Sequence, residues 1–270
     1  MKLLRLKMPY QRELIIAVDT SKPFSDLKRK YGIYIVDCEE QGIIPDICIT
    51  KIDSETYAVD IEGTVSKTSH PILCIDQFLF ENPTYDAAVF AMHGAAVEWR
   101  GKCYVFLAAT TSGKTTLTSY LVHSGCGYVT DDCVLLERNT HKVQPFSTPL
   151  HLRDGGLRVL ARYDALPEDL YCISEDNNQI CRYIYTPQNC VERALPLGEI
   201  FFIERTEHEN SIREMLMQEK IVALMKSPIT TYPIEPEYLR FLASLGKKYC
   251  KCLKYCDMNF VKEVLHQYDI

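Results

Sequence analysis

Three consecutive residues, Gly113, Lys114 and Thr115, follow an apolar run that ends at Leu107 and precede a helical pattern. This is the order of a phosphate-gripping loop, in which backbone N–H groups and a helix N-terminus converge on phosphate oxygens. In such a loop the lysine adds positive charge and the following hydroxyl reaches a magnesium ion. The run Ala108-Ala109-Thr110-Thr111-Ser112-Gly113-Lys114-Thr115 has alanine where such a loop normally opens with glycine. Alanine there costs about 1 kcal/mol where the backbone keeps a negative φ, so the loop reads as modified and functional. Asp131 and Asp132 stand 17 residues after Lys114 at the end of another apolar run. Two adjacent carboxylates opposite a phosphate loop suit transfer of a phosphoryl group to a hydroxyl. One can hold magnesium while the other accepts the hydroxyl proton.

These residues need a strand, a loop, a helix and a second strand to place them. "KCYVFL" supplies the first strand, and Leu117, Tyr120 and Leu121 recur at helical spacing with Gly125 as a stop. "YVT" returns to the sheet, ends in the two aspartates, and "CVLLE" continues extended. That alternation predicts an α/β fold. Upstream, "AAVFAMHGAAVEWRGKCYVFLAAT" reads as two or three strands turning at Gly94 and at Arg100-Gly101.

The segment from His93 to Leu136, "HGAAVEWRGKCYVFLAATTSGKTTLTSYLVHSGCGYVTDDCVLL", resembles the C-terminal catalytic domain of HPr kinase/phosphorylase. That family shows a His-Gly, two strands, the glycine-lysine loop, a helix, a glycine turn and a strand ending in Asp-Asp. The resemblance implies a P-loop kinase core related to phosphoenolpyruvate carboxykinase, with ATP and Mg as cofactors and transfer of the γ-phosphate to a hydroxyl. By resemblance, the loop from Thr110 through Thr111, Ser112, Gly113, Lys114 and Thr115 to Thr116 holds the nucleotide. Thr115 and Asp132 hold Mg, Asp131 is the general base, and His93 is the active-site histidine. The chain departs from the family at Ala108 and Thr111, where glycines are usual, and in lacking a glutamate-arginine-glycine segment. The reverse reaction and the hexamer are therefore not carried over, although a homo-oligomer is compatible with the resemblance.

The implied acceptor is a hydroxyl, preferentially a serine of a peptide or protein. A small-molecule hydroxyl, pyrophosphate as donor, and a nucleotide-binding adaptor without turnover are the alternatives. Arg153 and Arg158, in "LHLRDGGLRVL", are candidates for neutralising phosphate, Arg153 the stronger.

Residues 1–83 read as a strand-rich lobe on the runs "LIIAVD", "YGIYIVDC", "DICITKI" and "TYAVDIEG", closed by "PILCIDQFLFENP". Residues 84–270 form the kinase-like core with a helical C-terminal part. There "NSIREMLMQEKIVALMK" predicts a helix capped by Asn210 or Ser211, and "EPEYLRFLASLG" a second one ended by Gly246. "NFVKEVLHQY" predicts the last. Cys250, Cys252 and Cys256 read as buried strand positions rather than a zinc set, because Cys-x-Cys chelates poorly. A net charge of −6 over 270 residues argues against nucleic-acid or membrane-surface binding. The charged start, with Lys2, Arg5, Lys7 and Arg12, does not read as a secretory signal, so a cytoplasmic location is expected.

Overall fold

The computed structural model describes residues 1–8, 13–38, 42–81, 89–109, 112–168, 170–175, 180–229 and 235–267. The chain is mixed α/β and divides into two compact units, Met1–Ala87 and Ala88–Ile270. Among the described residues no helix is long and apolar enough to cross a membrane.

The first unit comprises β1 (Lys2–Leu6), β2 (Leu14–Val18), α1 (Ser21–Tyr31), β3 (Ile35–Asp37), β4 (Ile47–Lys51), β5 (Tyr57–Ile61), β6 (Thr64–Thr68) and α2 (Pro71–Glu81). Its six-stranded sheet runs β3-β1-β2-β4-β5-β6, with only the β2–β4 pair parallel. Leu4, Leu6, Ile16, Ile47, Ile49 and Val59 are buried from the strands, and Leu27 and Ile75 from the helices. The strand-rich reading passes over both helices. In "PILCIDQFLFE" a continuous apolar run carries no period that separates strand from helix, and Pro71 opens it as a helix N-terminus.

The second unit begins with β7 (Val89–His93), β8 (Ala95–Trp99), β9 (Lys102–Leu107), α3 (Lys114–His123), β10 (Gly127–Thr130), β11 (Cys133–Glu137) and β12 (Lys142–Gln144). It continues through β13 (Leu150–Arg153), α4 (Asp154–Ala161), β14 (Tyr171–Glu175), β15 (Ile180–Tyr185), β16 (Leu195–Arg205) and β17 (Ser211–Glu214). It ends with α5 (Met217–Met225), α6 (Pro236–Tyr249), β18 (Cys250–Tyr255) and α7 (Met258–Gln267). The large sheet runs β10-β8-β9-β16-β12-β11-β7, with β18 beside β16 and β17 beyond it. A three-stranded sheet, β13-β15-β14, stands apart.

β9 is buried on both faces, which is why its sequence is apolar without alternation. Tyr104 and Phe106 enter a core with Leu117, Leu121, Phe201 and Val261, while Cys103, Val105 and Leu107 enter another with Phe90, Ile200, Leu242 and Leu245. The long β16 pairs in parallel with β9 and β18, so Leu107, Arg205 and Tyr255 end their strands on one side. Arg100 and Gly101 both have positive φ, 49° and 80°, in a two-residue turn that joins β8 to β9.

Three readings of the C-terminal part are corrected. Ser211–Glu214 is a strand paired with β18, and the helix starts only at Met217. Asn210 does not cap it; the Asn210 side chain accepts the N–H groups of Cys256 and Asp257 at 2.9 and 3.3 Å. Gly246 does not end α6, which continues to Tyr249. A Cβ there would stand 3.2 Å from Met217 Sδ and 3.4 Å from Lys220 Cβ, so this glycine lets two helices approach closely. Cys250 and Cys252 are buried on β18, between β16 and β17, and Cys256 lies half-buried just beyond the strand.

Glu199 on β16 is 5% exposed, with one carboxylate oxygen 3.6 Å from Lys251 Nζ and the other without a hydrogen-bond partner among the described residues. Burial raises its pKa from 4.5 to about 7, against the opposing pull of Lys251. The unfolded chain releases this proton first as pH rises, so stability falls between about pH 4.5 and 7 and then stays lower. Glu199→Gln is expected to stabilise the protein at pH 8, by on the order of 2 kcal/mol, and to be near neutral at pH 4. Thermal unfolding at the two pH values checks this, and a lower Tm for the variant at pH 8 contradicts it.

Candidate functional site

β7 and β8 are one run of chain interrupted at Gly94, and β10 and β11 are another interrupted at Asp131-Asp132. The two runs lie antiparallel. Val97 pairs with Tyr128 and Ala96 with Thr130 on one side of the break, and His93 with Cys133 on the other. The aspartates thus sit where the two runs pass from one part of the sheet to the next, opposite Gly94. A Cβ on Gly94 would lie 2.5 Å from Leu107 Cδ2 and 3.0 Å from the Phe106 carbonyl oxygen. Gly94 therefore lets this crossing touch the end of β9, where the loop departs.

Gly113 caps α3 with φ of 92°, a conformation that favours glycine. Lys114 is 7% exposed and donates to the carbonyl oxygens of Ala108 at 3.0 Å and Ala109 at 3.2 Å, folding back across its own loop. Burial lowers the Lys114 pKa, and the fields of Asp131 and Asp132 oppose that shift. Thr115 Oγ1 donates to Asp131 Oδ2 at 2.7 Å. Asp131 is 2% exposed, and its Oδ1 has no hydrogen-bond partner among the described residues. Burial, then the neighbouring Asp132, raises its pKa to about 8, with Thr115 and Lys114 pulling the other way.

Asp132 is half-buried. His93 reaches its backbone rather than its carboxylate, with Nδ1 3.2 Å from the Asp132 carbonyl oxygen, a contact that the Nδ1–H tautomer makes. Thr110 and Thr111 lie outside the described residues. Ser112 Oγ is buried without a hydrogen-bond partner among the described residues. Thr116 faces α4, since a Cβ on Gly156 would lie 2.9 Å from Thr116 Oγ1. Arg153 and Arg158 are exposed, Arg153 at the N-cap of α4 and Arg158 in its last turn. Their side chains are not among the groups that meet at the aspartates.

Behind the acids, Tyr128 Oη donates to the Thr148 carbonyl at 2.5 Å, and Tyr185 Oη meets Ser119 Oγ at 2.5 Å. Both phenols feel the charge of Asp131. The sequence offers no local signal for them, because Tyr185 reaches α3 from a separate sheet 66 residues away in the chain. Among the described residues no group of three His, Cys, Asp or Glu side chains is arranged to hold a metal by itself.

No protein family and no curated protein sequence matches this chain. Among solved structures it is similar to the Hpr(Ser) kinase/phosphatase from Coxiella burnetii, at 10% identity and a TM-score of 0.31, over 65% of this chain and 91% of that one. A likeness this remote bears on neither activity nor substrate.

The Gly94 contact carries its own prediction. Gly94→Ala forces the crossing away from β9 and is expected to cost about 1–3 kcal/mol of stability. Chemical denaturation measures it, and an unchanged midpoint contradicts the close approach.

Proposed function

We propose that this chain is a Mg-dependent phosphotransferase that moves the γ-phosphate of ATP to a hydroxyl on a P-loop kinase core within residues 84–270. The observation that carries the proposal is the Thr115–Asp131 hydrogen bond at the first turn of α3, beside a buried lysine. Hydroxyl, carboxylate and ammonium groups of this kind are costly to bury, and they converge where a helix N-terminus already favours an anion. The serine of a peptide or protein remains the favoured acceptor, on the sequence resemblance alone.

The donor set fits a hard divalent cation. Asp131 offers a buried, unpartnered carboxylate oxygen, and the Thr115 hydroxyl lies against its other oxygen. Thr115 and Asp131 would hold the ion, with Asp132 close by. Bound there, Mg would neutralise charge on the phosphoryl oxygens. This reading exchanges the roles expected from the sequence. Asp131, engaged by Thr115, takes the metal side, and half-buried Asp132 is the carboxylate left to accept the acceptor's proton. His93, bonded to the Asp132 backbone, fixes the turn that aims this carboxylate.

Lys114 exchanges the Ala108 and Ala109 carbonyls for phosphate oxygens when nucleotide binds. N–H groups at the start of α3 solvate the same anion. With these donors fixed beforehand, charge that develops in transfer meets dipoles already in place.

The test is turnover by purified protein with ATP, Mg and a panel of serine peptides and small alcohols, followed as ADP formed and phosphate incorporated. Asp132→Asn is expected to lower turnover by about 10²–10⁴-fold with nucleotide affinity little changed. Thr115→Val is expected to raise the Mg concentration needed for half-maximal turnover and to lower turnover. Wild-type protein that binds ATP but gives no transfer that Asp132→Asn abolishes would contradict the kinase and leave an adaptor.

A further inference from the structure

Tyr255 ends β18 and is 3% exposed. Its hydroxyl stands 3.6 Å from the position of a Cβ on Gly113, so it looks directly onto the cap of α3. Neighbouring tyrosines are all paired. Tyr120 donates to Asn259 at 2.6 Å, Tyr163 to Asp257 at 2.9 Å, Tyr128 to a carbonyl, and Tyr185 meets Ser119. Tyr255 alone in this group has no hydrogen-bond partner among the described residues. The ring is packed away from water while the hydroxyl oxygen keeps access to solvent at the α3 cap, so it is free to donate to a ligand there. Arg205 lies beside Tyr255 in parallel register at the end of β16, exposed and in no ion pair among the described residues.

We propose that Tyr255 is a phosphate-binding residue: its hydroxyl donates to a non-bridging oxygen of the nucleotide's phosphate chain held at the N-terminus of α3, with the Arg205 guanidinium on the same side. The inference rests on the nucleotide reading above and adds a wall to the cradle from outside the loop. β9, β16 and β18 are adjacent parallel strands, so their C-terminal ends face one crevice, the usual place for a ligand in an open α/β sheet. The loop leaves the first of them, Arg205 the second and Tyr255 the third. The phenol is a donor throughout the working pH range, because burial raises its pKa to about 12 although Arg205 pulls it down.

Tyr255→Phe keeps the ring and its packing and removes only the hydroxyl. Two readouts are expected to separate. Calorimetric titration with Mg-ATP shows about tenfold weaker binding. Thermal unfolding without nucleotide shows a Tm equal to wild type, because the hydroxyl makes no hydrogen bond among the described residues. Arg205→Gln is expected to weaken Mg-ATP binding as well and to flatten its dependence on salt. Wild-type protein that binds Mg-ATP with a Tyr255→Phe variant of equal affinity overturns this inference and leaves the nucleotide reading intact. A lower Tm with unchanged affinity also overturns it, by assigning the hydroxyl a structural role. Wild-type protein that binds no Mg-ATP overturns both together.

Discussion

Lys114 and Asp131 are both almost wholly withdrawn from water within one turn of a helix, yet neither forms an ion pair with the other. Withdrawing a charge from water costs several kcal/mol unless partners replace the solvent. Here the partners are partial, two carbonyl oxygens for Lys114 and one hydroxyl for Asp131, and burial pushes both groups toward their neutral forms. A fold keeps such an arrangement where something else completes it, and every surrounding element serves to hold it. β9 delivers the loop, Gly113 turns it into α3, and the β10–β11 run brings the acids to the same end of the sheet.

The position of the acids depends on strand geometry more than on the loop. Two runs of chain, each a pair of strands, pass between the two parts of the large sheet side by side. A break in pairing is needed where they cross, and Asp131-Asp132 fills it on one run and Gly94 on the other. Backbone freed from ladder bonds at that point lets carboxylates project toward α3 rather than into the core. Gly94 lacks the Cβ that would push the crossing off β9. The site is thus built by the sheet's own closure, with α3 contributing only its first turn.

Much of this was legible from residues alone. β7, β8, β9, α3, β10 and β11 follow from apolar runs broken by Gly94, Arg100-Gly101 and Gly125, each a turn residue with a local reason. What escaped depends on distant partners. Ile212 and Met215 fit a helical period, but Ser211–Glu214 pairs with β18 some forty residues later and becomes a strand. Gly246 has the form of a helix stop, yet it is required by the approach of α5. α2 hid among strands because its continuous apolar run carries no period of its own, whereas the polar α1 buries Pro23, Leu27 and Tyr31 at helical spacing. The difference between the two aspartates was also invisible, since it lies in the deeper burial of Asp131 and its contact with Thr115. Tyr255 carries no motif at all, and parallel pairing of β18 with β16 is what brings it to the loop.

The central claim is that the loop, Thr115 and the acid pair form one site for a magnesium-bound nucleotide. The most direct measurement is an experimental structure of the protein with Mg and a non-hydrolysable ATP analogue. It is predicted to show Lys114 Nζ withdrawn from the Ala108 and Ala109 carbonyls onto phosphate oxygens, and Mg at about 2.1 Å from Thr115 Oγ1. Nucleotide bound elsewhere, or Lys114 still folded on its own loop with the phosphates present, would contradict the account.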